Sequence, residues 1–207
     1  ETLRTTVRHF QQYCTEWTWR KYVNESNEVF RTFEDKNNPD FWLFYFSAVI
    51  NLKKDNDKKI DSLAKVALNK FPRNDRIRRI SGYILYGQNN IKKSYRLSQE
   101  GIESFKNSDF ENASAKFVEA YKLNPIDYSF KENAGMSFIK LNEYEKAIKY
   151  LELSLKSEYK LDDGKSEFGL ATSYNKLGQK AKACDFVKIA MEKNYKQSFT
   201  LFSSVCN

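Results

Sequence analysis

The chain has 207 residues, enough to bury one large core or two small ones. Aromatic residues make up 15% of it while glycine and proline together number only ten, which favours a helical globular protein over a disordered or β-rich one. The formal net charge is +8, and no stretch approaches the roughly 18 to 20 apolar residues that a bilayer-crossing helix needs.

The chain begins at Glu1 rather than Met, which allows a processed or truncated product with a signal or anchor ahead of it. Cys14, Cys184 and Cys206 are scattered and odd in number, so neither a disulfide framework nor a metal site is expected, and they read as small core or surface residues. The compartment stays open between the cytoplasm and the cell envelope.

Residues 1 to 23 carry Leu3, Val7, Phe10, Cys14 and Trp17 at alternating steps of three and four, the apolar stripe of a helix, with Trp19 and Tyr22 beside it. A shorter helix is predicted over 24 to 34 with Val29, Phe30 and Phe33 inward. Asn38 followed by Pro39 reads as an N-cap and first-turn proline. The helix they open, 40 to 54, is apolar nearly all round through Phe41, Trp42, Leu43, Phe44, Phe46, Val49 and Ile50, so it is expected at the centre of its domain. A further helix over 57 to 71 places Ile60, Leu63, Ala64, Ala67 and Leu68 inward and ends before Pro72. The next, 75 to 87, turns Ile77, Ile80, Ser81 and Ile84 inward. Only Gln88, Asn89 and Asn90 separate it from the following helix, and the domain boundary is placed at that turn.

From Ser94 onward one pattern occurs twice in direct succession: Leu97, Gly101, Ala113, Phe117, Ala120 and Pro125, then Lys131, Gly135, Ala147, Leu151, Ser154 and Tyr159, each 34 residues after its counterpart. Ala171, Tyr174, Ala183, Val187 and Ala190 form a third copy displaced by 36, so two residues are added around Asp162 to Gly164. Small residues on one helix facing a large residue on the next, at fixed spacing, predict packed antiparallel helix pairs. Ser108 with Glu111 and Asn142 with Glu145 read as capping boxes that open second helices, and Gly178 as a left-handed residue ending a first helix. The same frame laid on 41 to 74 puts Ala48, Ile60, Ala64, Ala67 and Pro72 at its structural positions, a degenerate copy. Residues 197 to 207, with Phe199, Leu201, Phe202 and Val205, read as a helix capping the stack, or as a partner-binding apolar tail.

On these residues the chain resembles the tetratricopeptide-repeat family, whose repeats place a large residue and then Gly on the first helix, Ala and an aromatic on the second, and Pro after it. Leu97 and Lys131 replace the usual Trp, Tyr159 the Pro, and Ala171 the Gly. The resemblance implies an all-α protein: an N-terminal helical domain over 1 to 90, containing the degenerate pair at 41 to 74, and a repeat domain over 91 to 207 capped by 197 to 207. It also implies a superhelix whose concave groove is lined by the first helices. That assigns the groove to Tyr95, Ser98, Gln99, Ile102 and Phe105, then Glu132, Asn133, Met136 and Ile139, then Lys165, Phe168, Thr172 and Asn175, a mixed apolar and amide surface suited to a peptide or helix. Some family members clamp a C-terminal carboxylate. The matching positions here hold Ser98, Ile102, Asn133, Lys165 and Gly169, so only Asn133 and Lys165 are kept and an acidic chaperone tail is not expected to bind.

Catalysis finds little to work with. His9 is the only histidine, which removes paired-imidazole chemistry and multi-histidine metal sites, and it reads as a surface residue rather than a pH sensor. Glycines occur singly, so there is no phosphate-cradling loop. No cofactor and no small-molecule substrate are expected. Positive charge lies mainly in residues 1 to 93, with 18 Lys and Arg against 11 Asp and Glu, whereas 94 to 207 hold 17 against 16. Its sharpest cluster is Arg73, Arg76, Arg78 and Arg79, expected to face solvent. A solvated helix face is one reading; the other is a docking patch for an acidic protein or anionic lipid, or less favourably for nucleic acid, for which no aromatic-and-basic motif is present. The functional expectation is a non-catalytic protein-interaction module, a scaffold, assembly factor or chaperone-like stabiliser of a partner protein. The alternative is that the basic N-terminal domain attaches the molecule to an anionic surface, a membrane or nucleic acid. Covering the first helix of the array is a further role open to that domain.

Overall fold

A computed structural model of the protein describes residues 37 to 51, 58 to 157 and 162 to 206. The helices expected over 1 to 23 and 24 to 34, with His9 and Cys14, lie outside them, as does Tyr159. The described residues form ten α-helices and no strand. The chain divides between Gln88 and Asn89 into two compact units.

The first unit contains α1 (Pro39–Asn51), α2 (Lys58–Lys70) and α3 (Asp75–Tyr86). Asn38 opens α1 as expected, its Oδ1 accepting the amide of Asp40 at 2.9 Å ahead of the first-turn proline. Asn74 does the same for α3, accepting from Arg76 and Ile77 at 3.1 Å each. α1 is central: Trp42, Phe46, Val49 and Ala48 are all but inaccessible, and Trp42, Phe46 and Val49 share one core with Ile60, Ala64, Ala67, Ile77 and Ile84. α3 ends at Gly87, whose φ of 83° suits a residue without a side chain.

The second unit is built from α4 (Gln88–Lys106), α5 (Phe110–Leu123), α6 (Tyr128–Lys140), α7 (Tyr144–Leu155), α8 (Lys165–Lys176), α9 (Lys180–Glu192) and α10 (Lys196–Val205). Small residues set how closely the helices approach. A Cβ on Gly101 would meet the Phe117 ring at 3.0 Å, and one on Gly135 would meet Leu151 Cγ at 2.6 Å. Phe117 and Leu151 are buried at 1% and 0% exposure, so each contributes roughly 2 kcal/mol of apolar burial at the point where two helices close. In the third pair the expected Ala171 is fully buried. Gly169, two residues earlier, makes a second close approach that the repeat pattern does not announce: its missing Cβ leaves room for Leu151 Cδ1 at 2.8 Å and Met136 Sδ at 3.2 Å from the preceding pair.

One turn is used four times. Ser108, Asn142, Gly178 and Asn194 adopt positive φ of 62°, 60°, 74° and 59°. The following amides bond back six residues to one, Asp109 to Ser104, Glu143 to Phe138, Gln179 to Tyr174 and Tyr195 to Ala190, at 2.9 to 3.0 Å. This overturns the two capping boxes. Ser108 and Asn142 end the preceding helix instead of opening the next, because the reversal needs a left-handed residue there and the N-cap moves one position on. Asp109 takes that role and accepts from the amide of Asn112 at 3.1 Å; Glu143 sits at the equivalent place without a side-chain cap. Gly178 behaves as expected.

The last helix spans Lys196–Val205 rather than 197 to 207. Val205 joins the core and Leu201 packs on it, as a cap requires, but Phe199 is 51% exposed and takes no part in that core. The cysteine reading also changes: Cys184 on α9 and Cys206 after α10 form a disulfide, with Cα atoms 5.2 Å apart. Their separation of 22 residues gave no hint of pairing, since only the return of α10 along α9 brings them together. No helix of the described residues is long and apolar enough to cross a membrane.

Candidate functional site

The residues assigned to the groove divide into those that meet and those that do not. On α4, Tyr95 packs edge-on against Phe130 of α6, centroids 5.8 Å apart, while Ser98 is buried at 7% exposure. Gln99 and Ile102 are exposed, Ile102 at 41%. Phe105 turns to its own hairpin and meets Phe110 at 5.2 Å. α6 and α8 are joined directly. Lys165 Nζ, from the first turn of α8, donates to Asn133 Oδ1 at 3.0 Å and pairs with Glu132 Oε1 at 3.0 Å. Met136 sits over Gly169, and Met136, Ile139, Phe168, Thr172 and Asn175 all remain half-buried. Glu132 is buried at 3% exposure, so it supports the surface instead of lining it.

Polar bonds hold the α8 end in place. Ser166 Oγ donates to Glu132 Oε2 at 2.6 Å, which with Lys165 gives both carboxylate oxygens a partner inside the protein. Lys193, at the end of α9, reaches Asp162 at 2.5 Å and Glu167 at 2.6 Å. Burial by itself would lower the Lys193 pKa, but the hydrogen bonds to Asp162 and Glu167 outweigh it and raise the value. Tyr195 follows the left-handed Asn194 and lays its ring against Phe168, centroids 5.1 Å apart. Its phenol is pushed above the ordinary tyrosine value by burial first, then by Glu132 and Asp163. Gly164 begins α8 with φ of 78°, and a Cβ there would lie 3.0 Å from both Ala190 O and Tyr195 Cβ. Tyr195, Lys193 and Gly164 complete this region from the turns that flank α8 and α9, and Ser166 from the first turn of α8 itself; the repeat pattern marks none of them as part of it.

The pairing of first and second helices, the 34-residue frame and the closing glycines decide the architecture. This is a tetratricopeptide-repeat fold. No family model and no curated protein sequence matches the chain. Among solved structures the repeat fold is similar to the yeast Sti1 TPR2B domain in complex with an Hsp70 peptide, at 20% identity and a TM-score of 0.52 over 56% of this chain and 97% of that one. The second TPR domain of human RPAP3, in complex with the Hsp70 peptide SGPTIEEVD, gives 18% and 0.51 over 57% and 96%. The yeast Sti1 TPR2AB domain in complex with an Hsp90 peptide gives 14% and 0.53, aligned over 97% of this chain and 96% of that one.

At the positions that match the carboxylate clamp of some tetratricopeptide-repeat proteins, the second unit holds Ser98 buried, Ile102 exposed and Gly169 packed under Met136 and Leu151. Asn133 and Lys165 do lie side by side, but the lysine is already paired with Glu132.

The arginine cluster belongs to the first unit. Arg73, Arg76 and Arg79 are exposed, and the Arg76 side chain, 77% exposed, faces Asp40 at 3.6 Å. Arg78 departs from the expected solvent-facing set: its side chain is only 11% exposed and is paired with Asp75. The aspartate at the first position of α3 stands one turn before it, within reach of the guanidinium.

Proposed function

We propose that the repeat domain is a non-catalytic module that binds another protein along the face formed by α4, α6 and α8, as a scaffold, assembly factor or stabiliser of that partner. The observation that carries this reading is the contrast between two surfaces of the same helices. Gly135, Gly169 and Ala171 are buried against neighbouring helices, whereas Asn133, Met136, Phe168, Thr172 and Asn175 keep part of their surface open. Apolar groups interleaved with amides and a hydroxyl provide both burial and backbone hydrogen bonding to an extended chain. The Sti1 and RPAP3 domains of similar fold carry peptides, which supports the reading by analogy of fold.

The test is affinity capture from native extract, comparing the parent chain with a variant carrying Asn133→Ala, Phe168→Ala and Lys165→Glu. One protein retained by the parent and lost by the variant, with both folded by circular dichroism, is the expected result. Capture that survives the substitutions moves the partner to another surface.

A second reading rests on the exposed Arg73, Arg76 and Arg79, which would attach the N-terminal unit to an anionic surface. Asp40, facing Arg76, already offsets part of that charge. Binding to acidic vesicles that weakens with salt and with arginine-to-glutamate changes at these positions supports it; binding indifferent to both removes it. We place the boundary between the N-terminal and repeat domains at Gly87 rather than at a turn of Gln88 to Asn90, because those three residues already belong to α4 and Gly87 alone separates it from α3.

A further inference from the structure

α10 brings little apolar surface to the stack. Its buried residues are Ser198 and Val205, Leu201 and Phe202 are half-buried, and Phe199 is 51% exposed. The Ser198 and Ser204 hydroxyls donate to Tyr195 O and Leu201 O, which keeps those bonds within the segment. A helix of 10 residues persists through its packing rather than by itself. Cys206, directly after α10, is joined to Cys184 on α9, and both residues are half-buried. A small dithiol can reach sulfurs at that depth, and accessible bridges are the labile ones. Once this bridge opens, α10 is linked covalently to α9 through the turn at Asn194 alone. α10 also packs on α8, in the place of a fourth first helix. Phe199 and Phe202 follow Lys165 and Phe168 by 34 residues, so they continue the register of two positions assigned to the groove.

We propose that the Cys184–Cys206 bridge is a reducible latch on α10. Oxidised, it holds the helix on α9; opened by a dithiol, it frees α10 by local unfolding and uncovers the part of the core that Val205 and Leu201 cover. The step is thiol–disulfide exchange. A thiolate of the reductant attacks one cysteine sulfur and the other leaves as thiolate; the second thiol of the reductant then resolves the mixed disulfide. Two electrons and two protons pass to the cysteines, giving two thiols and one oxidised dithiol. Phe199 and Phe202 leave with α10, so whatever surface they add beside Phe168 is lost in the reduced state. The latch goes beyond the binding reading and does not depend on it.

Amide hydrogen exchange of the full chain, read by mass spectrometry before and after dithiothreitol and without denaturant, tests this. Alkylation should label Cys184 and Cys206 after dithiothreitol and neither before it. On reduction, exchange over 198 to 206 should rise on the order of 100-fold, the effect of opening a loop of 22 residues, while α6 and α7 change little. Oxidised glutathione should restore the slow rate. Cys206→Ser should show the fast rate with or without dithiothreitol. Three results overturn the proposal: a bridge that resists dithiothreitol until denaturant is added, unchanged protection of α10 in the reduced chain, or protection lost throughout the second unit. The first marks a permanent staple, the second a helix that docks without the bridge, and the third a collapse of the fold. The parent chain decides between them even if Cys206→Ser is poorly folded.

Discussion

Lys165 Nζ lies 3.0 Å from Glu132 Oε1 across the contact between α6 and α8, and the two ends of the pair are unequal: the lysine side chain is 31% exposed and the glutamate 4%. Removing the lysine strands a buried carboxylate with Ser166 as its remaining partner, whereas removing the acid leaves an ammonium that can turn to water. Lys165→Met should therefore cost about 3 kcal/mol and Glu132→Gln nearer 1 kcal/mol. Urea unfolding of both variants checks the order, and equal losses would show that the pair is solvated as a unit.

The closing glycines predict a second ranking. An added methyl on Gly135 would overlap Leu151 Cγ at 2.6 Å, and one on Gly101 would meet the edge of the Phe117 ring at 3.0 Å. Gly135→Ala should destabilise by about 1 to 3 kcal/mol from overpacking, and Gly101→Ala by less, since the gain in helix propensity of about 1 kcal/mol offsets most of a milder contact. Thermal melts of the two variants would reverse this order if Leu151 can rotate away.

Left-handed turns give opposite signs at two sites. Ser108 carries a side chain at φ of 62°, so Ser108→Gly should stabilise by up to about 1 kcal/mol. Gly164→Ala should destabilise, because it meets both the strained φ and the 3.0 Å contacts with Ala190 O and Tyr195 Cβ. A lower melting temperature for Ser108→Gly would mean that the serine is held there by something other than the turn.

The Cys184–Cys206 bridge ties α10 to α9 across 22 residues, a loop whose closure is worth about 3 kcal/mol. Cys206→Ser should lower the melting temperature, and reductant should lower that of the parent but not of the variant. Peptide mapping without reduction should recover the linked pair; its absence would remove the tether.

Stability should fall at alkaline pH. Tyr150, Tyr174 and Tyr195 hold their protons above the ordinary value, in each case chiefly through burial, and Lys193 does so because its two carboxylate bonds outweigh burial. A folded pKa above the unfolded one contributes stability that is complete below the unfolded value and lost as pH rises through the folded value. Lys131 acts the other way, lowered by burial against a smaller opposing effect of Asp127. Denaturant midpoints should thus decline above pH of about 10, and Tyr195→Phe should make the decline shallower. A midpoint that is flat across this range would contradict the packing of these phenols.

The all-helical class, the repeat frame and the small-against-large pairs of Gly101 with Phe117 and Gly135 with Leu151 could be read from the sequence, because helix periodicity and close approach depend on local spacing that a 34-residue interval preserves. So could the central place of α1, since a helix apolar nearly all round has no face to give to water. Tertiary structure alone decided the rest. Ser108 and Asn142 look like N-caps until the reversal of the chain requires them to be left-handed. Cys184 and Cys206 look unrelated until α10 returns along α9. Lys165 looks like a free cation at a binding position until α6, two helices earlier in the chain, supplies Glu132 from 33 residues back. Each of these depends on what a neighbouring helix brings to the same point, which neither propensity nor periodicity encodes.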